Sequence, residues 1–143
     1  MKDEKKMKSS GETQGYKKLK VYGLAHALAV RVHKMTVKLP RFEMMEEGSQ
    51  IRRSSKSVSS NIVEGYALRR YKQEYIHYLS RALASSLETV EHLDFLFETE
   101  SLKDEALYKD LHERYRELNS MLYRFVESIA SQHDISRVGK IEP

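Results

Sequence analysis

Apolar residues recur along most of this chain at the three- and four-residue spacing of an amphipathic α-helix, without the two-residue alternation of a strand. Leu24, Leu28, Val32 and Met35, with Ala25, Ala29 and Leu39 beside them, predict a first helix from about Tyr22 to Lys38. Pro40 ends it, because the residue before proline is pushed out of helical geometry. Ile51, Ser55, Val58 and Ile62 share one narrow face of a second helix, capped by Ser49 and stopped after Glu64 by Gly65, which can take the left-handed conformation. The third helix, from about Lys72 to Glu98, keeps Tyr75, Leu79, Ala82, Leu83, Ser86, Leu87, Val90, Leu93 and Phe97 on one broad face. It spans roughly 40 Å, the spine of the fold. Ser101, Asp104 and Glu105 mark the start of a fourth, whose stripe is Leu107, Leu111, Leu118, Met121, Leu122, Phe125 and Ile129.

Four amphipathic helices with short connections predict an all-α, antiparallel up-down-up-down four-helix bundle over residues 21–132. In the connection PRFEMMEEG, residues 40–48, Phe42, Met44 and Met45 are available to cap the bundle end. Residues 1–20, with seven lysines against three acids, lack apolar periodicity and are expected to be a flexible basic tail; residues 133–143 are expected to be a short polar one.

Composition narrows the class. A chain of 143 residues with no cysteine builds its core without disulfides or thiolate chemistry. No apolar run approaches the roughly 20 residues of a membrane span, no secretory signal follows the first lysines, and mean hydropathy is −0.64. The expectation is a cytoplasmic protein with no membrane association. The net charge of +4 is modest, but its distribution is uneven. Between Ser49 and Lys72, six basic residues face one acid; between Glu88 and Glu113, nine acids face two lysines. Blocks of opposite sign predict two distinct faces, or an acidic surface of one subunit meeting a basic one of another.

The basic block holds most of what is unusual. Ser54, Ser55, Ser57, Ser59 and Ser60 make a poor isolated helix but allow a neighbouring helix to approach closely. Arg52, Arg53, Lys56, Arg69, Arg70 and Lys72 offer phosphate contacts, and Tyr66 and Tyr71 offer stacking for unpaired bases. The same residues also suit packing and salt bridges within an assembly. Asn61 and Glu64 suit a structural role, supplying polar partners at the corner with Gly65.

The run Gln50-Ile51-Arg52-Arg53, followed by Ser60-Asn61-Ile62-Val63-Glu64-Gly65-Tyr66, resembles the signature of the S23 family, four-helix-bundle proteins encoded in intervening sequences of bacterial 23S rRNA genes. The likeness continues through Lys72, Glu74, Tyr75 and Leu79 to Ala82-Leu83, Ser85 and Glu88. Ser59 stands where many members carry proline, which leaves the bend that proline would impose without its cause. The resemblance implies a ring-shaped homo-oligomer, typically a pentamer. A related bundle serves as an accessory to reverse transcriptases in diversity-generating retroelements, binding RNA and the enzyme, so a reverse transcriptase is a further partner the resemblance implies.

Enzyme chemistry finds little support. Glu74-x-x-His77 is the sole pair of its kind, where a di-metal bundle needs two with additional glutamates. His26 and His33 lie seven apart without other ligands at metal spacing. No nucleophile elbow or phosphate loop occurs. The expected function is therefore non-enzymatic and cofactor-free: nucleic-acid binding through phosphates, RNA more than DNA, by a homo-oligomer. The alternative is a protein-partner scaffold whose basic stretch forms intersubunit salt bridges.

Overall fold

The computed structural model describes residues 14–132. Four long helices, α1 (Lys20–Thr36), α3 (Glu47–Ala67), α4 (Lys72–Glu98) and α5 (Glu105–Ala130), are joined by short connections, the first containing the five-residue α2 (Arg41–Met45). Each long helix packs against the next, and α5 closes against α1. Contacts between residues near opposite ends make neighbours antiparallel: Arg52 reaches Thr36, Thr89 reaches Ser54, and Phe97 stacks on Tyr108.

The core follows the predicted stripes. Leu28, Val32, Ile51, Val58, Ile62, Leu79, Leu93, Leu111, Leu118, Leu122 and Ile129 are buried, around a Tyr75–Phe125 edge contact. Val21, Thr89, Leu96 and Tyr115 join them without having stood out in the stripes, whereas Leu87 is exposed. Burial pushes the Tyr115 phenol well above its ordinary range.

The serine run acts as expected. Ser54 and Ser55 are buried, Thr89 donates to Ser54 Oγ at 2.8 Å, and the Ser57 and Ser85 hydroxyls lie 3.0 Å apart, so α3 and α4 meet through small side chains. Hydroxyls such as Ser55 Oγ turn back to the preceding turn, here to the Arg52 carbonyl, and the close packing on α4 rather than propensity keeps the segment helical.

Several boundaries differ. Ser49 and Gly65 are not the ends of a helix: α3 starts at Glu47, runs unbroken past Ser59, and leaves its axis only at Leu68. Gly65 has no positive φ. It is a contact point with α4, where an added Cβ would stand 3.1 Å from Tyr78 Cβ and 3.3 Å from Tyr75 Cδ1. Phe42 and Met45 do not cap the bundle; both face solvent, and Met44 alone of the three packs against the core. The buried residue of α2 is Glu43, whose carboxylate accepts from Ser101 Oγ and from the Glu47 amide, tying α2 to the α4–α5 connection. The fourth helix takes Asp104 as its N-cap, the carboxylate accepting from the Leu107 amide at 3.0 Å.

Of the expected basic tail, residues 1–13 lie outside the described residues; Gly15–Lys18 form a 3₁₀ turn, Leu19 is buried, and Tyr16 meets Tyr22 and Tyr66 edge-on. The expected C-terminal tail, 133–143, lies outside the described residues.

Candidate nucleic-acid interface

The basic block divides into two groups. Arg52, Arg69 and Lys72 are occupied by the fold. Arg52 donates to Thr36 Oγ1 at 2.9 Å and to the Met44 carbonyl at 3.0 Å, holding the α1–α3 connection against α3. Arg69 donates to the Tyr66 carbonyl at 3.0 Å, with its guanidinium 4.0 Å from the centre of the Tyr66 ring. Lys72 donates to the carbonyl of Gln132, joining the start of α4 to the end of α5. Arg53, Lys56, Arg70 and Tyr71 are exposed. Tyr66 is half-buried, packed on the core and over Gly15, so its ring is not open on both faces for a base.

Arg52 is thus distinguishable from its neighbour. Arg52→Met is expected to lower unfolding free energy by about 1–2 kcal/mol, since hydrogen bonds to a carbonyl and a hydroxyl are lost. Arg53→Met should leave stability unchanged in the same denaturant titration.

The corner residues also move. Asn61 is buried and donates from Nδ2 to the Ser57 carbonyl at 2.8 Å and to Ser57 Oγ at 3.0 Å, back along its own helix. It braces Ser57, whose hydroxyl meets Ser85 of α4. Glu64 is exposed on α3 and does not fix the corner: no hydrogen bond or ion pair of its carboxylate occurs among the described residues. The chain turns at Leu68–Tyr71 through backbone bonds, including Tyr71 N–H to the Leu68 carbonyl at 2.8 Å.

On α3, Arg52, Lys56, Ser59 and Val63 are spaced four, three and four, which places them along the side that meets α1. Facing them, α1 presents His26, Val30, His33 and Lys34. Together His26, Val30, His33, Lys34, Lys56 and Ser59 line an open groove of about 410 Å³. Its charge has one sign. From Gln14 to Phe42 the chain has seven lysines and arginines and no acid, and from Gly48 to Val63 it again has no acid. The α1 half of this surface was readable as an acid-free run, a signal that a count confined to the arginine stretch passes over.

The acidic block lies on α4, α5 and their connection, and is largely answered within the chain. Asp94 accepts from Tyr108 Oη at 2.7 Å and lies 3.6 Å from His112; this hydrogen bond, with desolvation, raises the Tyr108 phenol to about 12. Asp110 meets Arg31 at 2.7 Å and Arg114 at 3.6 Å. Arg31's hydrogen bond holds the Asp110 carboxyl below its ordinary value. Glu105 pairs with Lys109 and Glu113 with Arg116.

Glu74 and His77 are both exposed. No group of three or more His, Cys, Asp or Glu that could hold a metal occurs among the described residues, and no helix among them is long and apolar enough to cross a membrane.

Fold and surface together define an antiparallel helical bundle with an acid-free groove between α1 and α3 and an acidic α4–α5 region, most of whose acids have partners within the chain. The sequence pattern of the 23S rRNA-intervening sequence proteins matches residues 17–124, and the chain belongs to that family. It is similar to a crystallised protein of unknown function from the S23 ribosomal protein family of Bacteroides thetaiotaomicron, at 25% identity, covering 75% of this chain and 95% of that one with a TM-score of 0.66. No curated protein matched.

Proposed function

We propose that this protein is a non-enzymatic RNA-binding bundle that grips the phosphate backbone along the α1/α3 face. The observation that carries the reading is the acid-free groove bounded by Lys34 and Lys56, with His26 and His33 between α1's exposed turns. Lys34 and Lys56 have no carboxylate partner among the described residues and are free to turn toward phosphate, whereas the Arg52 and Arg69 guanidiniums keep their charge but are held toward main-chain carbonyls. The family's connection with 23S rRNA intervening sequences favours RNA over DNA.

A ring-shaped homo-oligomer, a pentamer by the family resemblance, would place several copies of this face around one assembly and raise avidity without new contacts per subunit. Self-association is supported by exposed Leu87 and Tyr123 on α4 and α5, away from the groove. Intersubunit salt bridges to the basic block are less favoured, because much of the acidic block is already paired within the chain.

The test is binding of the full chain to labelled structured RNA and to matched DNA across a salt series, with assembly mass measured in parallel. Expected is RNA affinity that falls linearly in log–log form with salt, with a slope of about −3 or steeper, as release of several counterions requires. Absence of binding at about 50 mM salt, where such contacts are strongest, would sink the reading.

A further inference from the structure

At the end of the bundle where α1 stops and α5 starts, an open pocket of about 720 Å³ lies beside the groove. Lys34 lines both and stands between them on the exposed side of α1. The volume falls among those of small-molecule sites, about 300–1,000 Å³. Its floor is apolar: Met35, Leu39, Leu102 and Leu107, the first three only 5%, 8% and 6% exposed. Its rim is cationic. Lys34, Lys38 and Lys103 are exposed and have no ion pair among the described residues, while Arg31, the remaining cation, is bound to Asp110 at 2.7 Å. The rim's one carboxylate, Asp104, is engaged as the N-cap of α5.

We infer that this pocket seats a single unpaired nucleotide, with its base on the Leu39–Leu102–Leu107 floor and its phosphate among Lys34, Lys38 and Lys103. The inference rests on reading the α1/α3 groove as a phosphate track. A ligand matching this pocket needs a compact apolar plane and an anionic group on one edge, which a nucleotide supplies. A fatty acid also joins an anion to an apolar body, but this floor is a shallow seat of flank residues rather than a tunnel for an acyl chain. Because Lys34 borders both, a strand lying along the groove passes beside the pocket and brings its next nucleotide within reach of it. The nucleotide could equally arrive free, and the two sources are separable by experiment.

The experiment has two arms on the full chain. In the first, adenosine 5′-monophosphate, inorganic phosphate and octanoate are titrated while the methyl signals of Leu39, Leu102 and Leu107 are followed by NMR. The nucleotide is expected to shift these methyls, phosphate is expected to leave them in place, and Lys103→Glu is expected to weaken the nucleotide about five- to tenfold, whereas Lys56→Glu is not. In the second, RNA with an unpaired end is compared with a closed hairpin lacking one. Lys103→Glu is expected to remove a preference for the unpaired end, and Lys56→Glu is expected to weaken both RNAs alike.

Floor methyls that ignore the nucleotide, or that respond more strongly to octanoate, would overturn the proposal. So would Lys103→Glu weakening both RNAs equally, the mark of a charge acting at a distance. If the wild type takes the nucleotide but no RNA, the phosphate track fails while the seat stands as a site for free nucleotide.

Discussion

A protein carrying Lys34→Glu and Lys56→Glu is expected to bind structured RNA about 100-fold more weakly than the wild type at low salt, with its salt slope reduced by about two. Both side chains are exposed on the walls of one groove, one from α1 and one from α3, and neither is engaged with a carboxylate among the described residues. Reversal therefore removes two attractive charges and adds two repulsive ones without opening the core. Circular dichroism and the denaturation midpoint should be unchanged. That separates the variant from Arg52→Met, which is expected to lose stability through its bonds to Thr36 and Met44 while keeping most of its RNA affinity. If the double variant binds RNA as the wild type does at matched salt, phosphate contact lies elsewhere on the bundle.

The two arginines side by side at 52 and 53 show what the sequence could and could not tell. Periodicity placed Ile51, Ser55, Val58 and Ile62 inward, and all four are buried. That Arg52 turns toward the α1–α3 connection while Arg53 faces water depends on where α1 ends, and α1 stops at Thr36, with Thr36 Oγ1 bonded to the His33 carbonyl, four residues before the proline expected to limit it. The side chain that receives Arg52 is thus supplied by an element that ends two residues short of the Lys38 its apolar pattern predicts. Phe42 and Met45 differ from expectation for a related reason. Apolar character in a connection suggests a cap, but once Glu43 is fixed by Ser101 and the Glu47 amide, the single turn of α2 points Phe42 and Met45 outward. The acid-free run of α1, by contrast, needed no tertiary information. Net charge counted over blocks rich in one sign passes over a surface defined by missing carboxylates.

Gly65→Leu is expected to destabilise the bundle by about 3 kcal/mol, the largest effect foreseen for a single substitution here. As a helix stop, Gly65 would sit at a terminus with positive φ, and a leucine would mainly displace the cap. In the structure it is buried within α3, two residues before the helix ends, and faces the first turns of α4. An added Cβ would stand 3.1 Å from Tyr78 Cβ, an atom fixed by the α4 backbone, and 3.6 Å from the Tyr75 carbonyl oxygen. Leucine carries three further carbons into that space, so the two helices must separate, and the contact between Tyr75 and Phe125 one layer deeper loosens with them. Gly65→Ala is a finer probe. Replacing a helical glycine by alanine favours the helix by at most about 1 kcal/mol, less in a last turn such as this, whereas the single Cβ requires a few tenths of an ångström of retreat, so the net change should stay within about 1 kcal/mol of zero. A Gly65→Leu protein as stable as the wild type in urea would show that α3 and α4 do not meet closely here. If both variants instead lose several kcal/mol, the interface tolerates no Cβ, and the small-residue contact running from Gly65 through Asn61 and Ser57 to Ser54 is tighter than its van der Waals spacing implies.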